Sequence, residues 1–363
     1  MDVDAGLVAA QVRAVLGAWG MAEGPAARTA ELMTETDLLG VDSHGISMLM
    51  LYETLHRAGQ LNLQAVPRVV RDAPCTALLD ADAGLGHPAA AQAMELAVDK
   101  ARTCGIGLVG VRNSHHFGAA GVYARLAAAR SMLGLVTSST RFVTMVPTRG
   151  AAPVLGTNPI AFAAPAGRNG MFSLDMATTT AAVNKVKVYD LHDRPVPEGW
   201  VVDSHGRWVT DAAEALGILM HRPEDGGLTP LGGSEALGSH KGYGLAMMVH
   251  ILAGTLTGGS FSPIRNRTQK AGDGDNIGHF MLAIDPAAFR EPGAFESDLD
   301  DAIDVLRATP PAEPDKPVLV AGDPEAATRA HRLRHGIPIP RKLQQQLRDV
   351  CERCGAPYLL AAR

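Results

Sequence analysis

Two short runs set histidine beside groups that can orient it: Asp42-Ser43-His44-Gly45, and Asn113-Ser114-His115-His116-Phe117-Gly118. Imidazole titrates near neutral pH, so a positioned histidine can take a proton from an alcohol or return one to a carbonyl. Each run precedes a stretch with helical spacing. A helix N-terminus disfavours positive charge, which predicts that His44 and His116 stay neutral there. The competing reading is structural, because Asp, Ser and Asn are ordinary helix caps. The chain carries its own control. Asp203-Ser204-His205-Gly206 repeats the same letters between Trp200-Val201-Val202 and Arg207-Trp208-Val209, where it reads as a hairpin turn. A metal site at His44, His115 and His116 is the less favoured chemistry, since adjacent histidines in extended chain face opposite ways.

A second chemistry is anion binding. Leu174-Asp175-Met176-Ala177-Thr178-Thr179-Thr180 reads as a strand, a hydroxyl-rich turn, then a helix. Free N–H groups, the threonine hydroxyls and Lys185 could hold a diphosphate there. Ser239-His240-Lys241-Gly242-Tyr243-Gly244 opens another helix and adds a cation. Gly105 to Gly110 has the G-x-G-x-x-G spacing of a dinucleotide fingerprint, but in reversed context. A helix ends at Cys104, Gly105 reads as its C-cap, and a strand follows, so a pyrophosphate would meet no helix N-terminus. Cys351 and Cys354, with His331 and His335, have the spacings of a zinc clip, yet such pairs also merely share a helix face.

The elements that must position these groups follow from periodicity. Leu7, Val8, Val12, Val15, Leu16 and Trp19 mark a first helix, and helices at about 26–39, 46–55 and 89–103 make the first hundred residues read as helical. The runs 106–111, 132–138, 154–165 and 171–177 read as strands, with a helical stretch at 118–130 between two of them. Residues 238–256 are apolar nearly all round and predict a buried helix. Residues 258–278 read as a loop and 309–317 as a linker. The last forty or so residues read as helical, so the two ends can pack together. The expected division is a helical domain from 1–75 plus 310–363, and an α/β cofactor- and substrate-binding region at 76–309.

Composition excludes other classes. The net charge is −5 and aromatic residues are 4% of 363, which argues against a nucleic-acid surface. No apolar run is long enough to span a bilayer, and the acidic start MDVDAG lacks the form of a signal peptide. Four cysteines are too few for a disulfide scaffold and fit a reducing cytoplasm.

Taken in order, VDSHGI, NSHHFGAAGVYA, LGTNPIAFAAP, DMATT and HKGYGLAM make the chain resemble the type-2 malate/L-lactate dehydrogenases, over about residues 5–355. The resemblance implies a cytoplasmic, homodimeric oxidoreductase with a non-Rossmann nucleotide-binding mixed sheet. It would transfer hydride between NAD or NADP and a 2-keto or 2-hydroxy acid, or a cyclic 2-imino acid. It implies His44 or His116 as proton donor or acceptor, helped by Ser43. It implies Tyr52 and position 48 at the substrate. It implies cofactor contacts at Asp175, Met176, Ala177, Thr178, Thr179, His240, Lys241, Gly322 and Asp323, and no metal. Many members carry arginine four residues after the histidine of DSHG, where this chain has Met48. A thioether cannot pair with a carboxylate, and Arg141 or Arg149 could replace the missing cation. Two other readings fit the residues: a metal-dependent hydrolase or lyase built on His44, His116 and Asp175, and a nucleotide-binding member without activity.

Overall fold

A computed structural model describes residues 1–261 and 273–360. The chain begins with β1 (Asp2–Val3), α1 (Ala5–Ala18), α2 (Glu23–Leu38) and α3 (Leu49–Arg57). It continues through β2 (Arg68–Asp72), β3 (Thr76–Gly84), α4 (Gly86–Cys104), β4 (Ile106–Ser114), α5 (Gly121–Ala128), β5 (Leu133–Ser138), β6 (Ile160–Pro165) and β7 (Met171–Met176). Then come α6 (Val183–Leu191), β8 (Val201–Asp203), α7 (Ala212–His221), β9 (Gly226–Leu228) and α8 (Ser239–His250). The described chain closes with β10 (Ile277–Ile284), α9 (Ala294–Arg307), α10 (Asp323–His335), β11 (Ile337–Pro338) and α11 (Arg341–Cys354).

Seven strands form one mixed sheet in the order β2-β3-β4-β10-β5-β6-β7. Only β3 and β4 pair in parallel, joined by α4 as the crossover; the other neighbours are antiparallel. The alanine-rich faces of α4 and α5 are small enough to lie close on the sheet, and their buried residues join Val109, Val111, Val136, Ala161 and Met281 in one core. A second core unites the two ends of the chain. Val8, Val12, Leu16 and Met33 pack with Tyr52, Ile337, Leu347 and Val350.

Gly105 ends α4 in the left-handed region, φ +78°, and the 106–111 run opens β4. The G-x-G-x-x-G match is therefore a C-cap followed by a strand. The repeat Asp203-Ser204-His205-Gly206 is an exposed turn closed by Gly206 N–H to Asp203 O at 2.9 Å. Two expectations are corrected. The first hundred residues are not all helical, because β2 and β3 form a hairpin at 68–84. β2 is an exposed edge strand, so burial leaves no apolar alternation in it. Nor is the helix at 239–250 buried all round. Gly242, Ala246 and Val249 face inward, whereas Met248 and, in the π-turn that continues it, Ile251 lie 37% and 50% exposed. Of the loop expected at 258–278, residues 262–272 lie outside the described residues.

Candidate active site

Strands β4 and β5 both flank β10 and run against it, so their C-terminal ends lie together where β10 begins. The segment after β4 carries His115 and His116 to this end of the sheet. The loop between α2 and α3 brings His44 to meet them. The rings of His44 and His116 stack with centroids 5.6 Å apart. Both are half-buried, and hence reachable, whereas His115, His87 and His279 are fully buried. The two sequence runs thus converge on one pair of histidines.

Hydrogen bonds assign their chemistry. His116 Nδ1 lies 2.9 Å from Tyr52 Oη and receives the Gly118 N–H at 3.3 Å. A backbone N–H can only donate, so Nδ1 is the acceptor and the ring's proton sits on Nε2. Burial keeps the Tyr52 phenol protonated, pushing its pKa above the usual value, which suits it as the second donor. His44 Nδ1 lies 2.7 Å from Ser43 Oγ. A hydroxyl both donates and accepts, so His44 can present either a lone pair or an N–H at Nε2.

Both rings are held neutral. Burial lowers the pKa of His44, and burial reinforced by His44, His87 and His279 takes that of His116 well below its usual value. The cause differs from the expected one. His116 lies five residues before α5, and His44 precedes a 3-10 turn at Ile46–Met48 rather than an α-helix. Desolvation, not a helix dipole, removes the charge.

Around the pair lie groups that sequence reasoning missed. His87 packs edge-on against Tyr52, and burial drives its pKa down to about 3. His279 stacks on Phe117 at 4.4 Å and bonds Ser138 Oγ and Ser114 Oγ at 2.8 and 3.0 Å. Gly118, at φ +75°, lets this loop close over them: a Cβ there would stand 2.9 Å from His87 Nε2. Asp275 Oδ2 faces both His115 Nδ1 and Arg141 Nη1, each at 3.4 Å. These residues come from distant parts of the chain, and no local spacing marks them.

The expected anion cradle divides. Thr178 Oγ1 donates to Thr157 O and Asn158 O, Thr179 Oγ1 to Ala181 O, and Thr180 Oγ1 to Pro230 O. The hydroxyl protons therefore point into the protein, and α6 begins only at Val183. Lys185 lies over the Trp200 ring at 5.5 Å. Asp175 is solvent-accessible but closely surrounded. Its carboxylate accepts the Gly121 N–H at 2.7 Å where α5 opens, and crowding raises its pKa to about 6 against that bond. Met176 and Ala177 follow it, half-buried. Gly322 meets the same strand: a Cβ there would stand 3.1 Å from Ser173 N, two residues before Asp175. Asp323 is engaged by Arg307, Nη2 to Oδ1 at 2.6 Å. His240 and Lys241 are exposed on the first turn of α8, a helix with no side-chain cap. An uncapped helix start with a lysine and a histidine is a donor set that fits a phosphate.

The remaining candidates lie outside the histidine pair. Met48 packs against the terminal core, and Tyr52 is wholly buried. Arg149 is turned to the surface, bonded to Glu235 at 2.5 and 3.0 Å. Cys351 Sγ accepts from Gln11 Nε2 at 3.2 Å, and His331 stacks on His335. Among the described residues, no group of three or more metal-ligating side chains gathers.

Comparison with known proteins supplies the kinship. The family described as Malate/L-lactate dehydrogenase matches residues 3–348. A malate dehydrogenase of Pyrococcus horikoshii is 38% identical over 95% of this chain and 93% of its own. An L-sulfolactate dehydrogenase of Methanocaldococcus jannaschii is 35% identical over 94% of each. The crystal structure of malate dehydrogenase from Entamoeba histolytica superposes with a TM-score of 0.92 at 30% identity, covering 99% of both chains. Identity at this level, sustained over almost the full length and matched by the same fold, means that the chain belongs to the malate/L-lactate dehydrogenase family and is a nicotinamide-dependent dehydrogenase of small hydroxy acids.

Proposed function

We propose that the enzyme interconverts a small 2-hydroxy acid and its 2-keto acid, or the cyclic 2-amino and 2-imino counterparts, with Ser43, His44 and His116 at the reacting carbon. Asp175, Met176, Ala177, Gly322 and Asp323 line one part of the nicotinamide-nucleotide site, with Thr178 and Thr179 buttressing it from inside, and His240 and Lys241 hold its phosphates. Bound there, the nicotinamide ring supplies or takes up the hydride.

The hydrogen bonding of the histidine pair carries the reading. His116 presents Nε2–H to the substrate oxygen and stabilises the charge that develops on it, as a neutral imidazole can. His44 transfers the proton. In reduction its Nε2–H goes to the oxygen or nitrogen while Ser43 Oγ–H passes its proton to Nδ1 and takes one back from solvent, which the half-buried hydroxyl can reach; oxidation runs the relay backwards and returns that proton to solvent. The ring stays neutral throughout, which its burial requires.

The test follows NADH and NADPH consumption against oxaloacetate, pyruvate, 3-sulfopyruvate and Δ1-piperideine-2-carboxylate, with EDTA present. Turnover is expected with at least one pair, and His44→Ala should lower kcat by about 10²–10⁴-fold with cofactor binding retained. Loss of cofactor binding with turnover per bound complex unchanged would refute the role.

The substrate carboxylate needs a cation that Met48 cannot supply. Arg141 follows β5 by three residues, at the same sheet end as His116, and among the described residues its charged partner is Asp275, Nη1 to Oδ2 at 3.4 Å without a hydrogen bond. We assign it the carboxylate. Arg141→Met should raise KM for the acid at least tenfold without weakening cofactor binding, and adding Met48→Arg should recover part of the loss. A change confined to cofactor affinity would sink this assignment.

The same reading makes the protein a cytoplasmic homodimer. Its four cysteines are free thiols, and Met248, Ile251 and Leu256 present apolar surface beside the sheet.

A further inference from the structure

The Ser43-His44-Gly45 turn belongs to no α-helix or strand, so something else must hold it. The His44 N–H donates to Val41 O at 2.9 Å, which fixes only the entry to the turn. The exit is held by Asp37, on the last turn of α2. Asp37 is 2% exposed, and its Oδ2 accepts the Ile46 N–H at 2.8 Å. Gly45 lies flat against the same carboxyl: a Cβ would fall 1.8 Å from Oδ1. The φ of Gly45 is −93°, so closeness to Asp37, not a left-handed backbone, demands glycine here. Arg332 of α10 grips the other side. Its guanidinium donates to Asp37 O at 2.6 Å and pairs with Asp42, Nη2 to Oδ2 at 3.1 Å.

We propose that Asp37 is a positioning residue for His44, and that Arg332 completes a clamp tying α2, the histidine turn and α10 together. The inference rests on the reading of His44 as the proton-transfer residue. Asp37 never touches the reacting atoms. It holds the Gly45–Ile46 peptide, one residue beyond His44, and with it the exit of the turn and thereby the angle at which the ring meets His116. The loop that carries His116 packs against the adjoining His44–Gly45 peptide, since the Gly118 Cβ position is 3.3 Å from His44 O.

The experiment compares Asp37→Ala, Asp37→Asn, Arg332→Met and His44→Ala in the full-length enzyme, measuring kcat, KM for the acid, NADPH binding by fluorescence, and Tm. The amide of Asp37→Asn can still accept the Ile46 N–H, so it should retain most of kcat. Asp37→Ala should lose at least tenfold in kcat, with KM and NADPH affinity within about twofold. Arg332→Met should show the same pattern more weakly, and it carries the test if Asp37→Ala does not fold. A folded Asp37→Ala enzyme with wild-type kcat overturns the proposal, as do Asp37→Ala and Asp37→Asn variants that lose Tm and kcat equally. His44→Ala separates the two layers: if it keeps turnover, the reading of His44 fails first; if it loses turnover while Asp37→Ala does not, only the clamp fails.

Discussion

Burial holds the paired histidines uncharged, and a neighbouring acid shows the same pressure. Burial raises the Asp37 pKa from 3.8 to about 8, opposed by the Ile46 N–H and Arg332. In the unfolded chain this carboxyl loses its proton near 3.8, whereas the native state keeps it until about pH 8. Native stability from this group is therefore fully present below 3.8 and is lost progressively as pH rises to about 8. Asp37→Asn removes that slope. Thermal melts at pH 5 and pH 8 should show the wild type losing ground to the variant as pH rises; equal shifts in both proteins would disprove the assignment. His44 itself was legible as a candidate from Ser-His adjacency. Its distinction from His205 lay not in the four shared letters but in their flanks, which mark 203–206 as a hairpin turn, and the structure leaves His205 exposed where His44 is half-buried.

Among the elements, α8 shows most clearly how a sequence pattern and its packing diverge. Its apolar residues wrap the helix, but one face docks on the 144–155 segment and on Leu231 while the other stays open. The docking is close. A Cβ on Gly242 would stand 2.3 Å from Leu231 O and 2.4 Å from Leu231 N, both unyielding backbone atoms. Gly242→Ala should therefore displace the helix start, cost about 1–3 kcal/mol and, on the proposed role of Lys241, weaken binding of the nicotinamide nucleotide. Gly244, with nothing within 4 Å of its Cβ position, is the control: Gly244→Ala should stabilise by up to about 1 kcal/mol. Denaturant unfolding of the two variants checks the signs, and a similar response from both would mean that the close contact is unimportant. The strands β4 to β7 were legible because they are short apolar runs between Gly, Pro and Asn. The hairpin of β2 and β3 was not, since an exposed edge carries no burial pattern.

For the whole molecule, the decisive fact is that the ends of the chain share a core and a site. β11 pairs with β1, α11 packs on α1 and α3, and α10 reaches the histidine turn through Arg332. The exposed apolar side of α8 and its π-turn is the surface expected to close on a second copy. Light scattering should give a dimer, and Ile251→Lys should shift it toward monomer with the fold intact. A wild-type monomer would count against the dimer, and an unchanged dimer in the variant would move the interface elsewhere.

By itself the sequence determined the local structure and the cast of residues: the Gly105 cap, the hairpin at 203–206, the strands leading to Asn113 and Asp175, and the Ser43-His44 and His115-His116 pairs. Each of these depends on neighbours within a few positions, where propensity and spacing act directly. The tertiary structure alone decided which histidines meet, which tautomer His116 holds, and that the threonine hydroxyls of 178–180 turn inward. Those outcomes depend on partners far along the chain, such as Tyr52, 64 residues from His116, and Arg332, 295 residues from Asp37. A hydrogen bond to a distant carbonyl, and the loss of water that neutralises a histidine, leave no periodicity in the chain to be read.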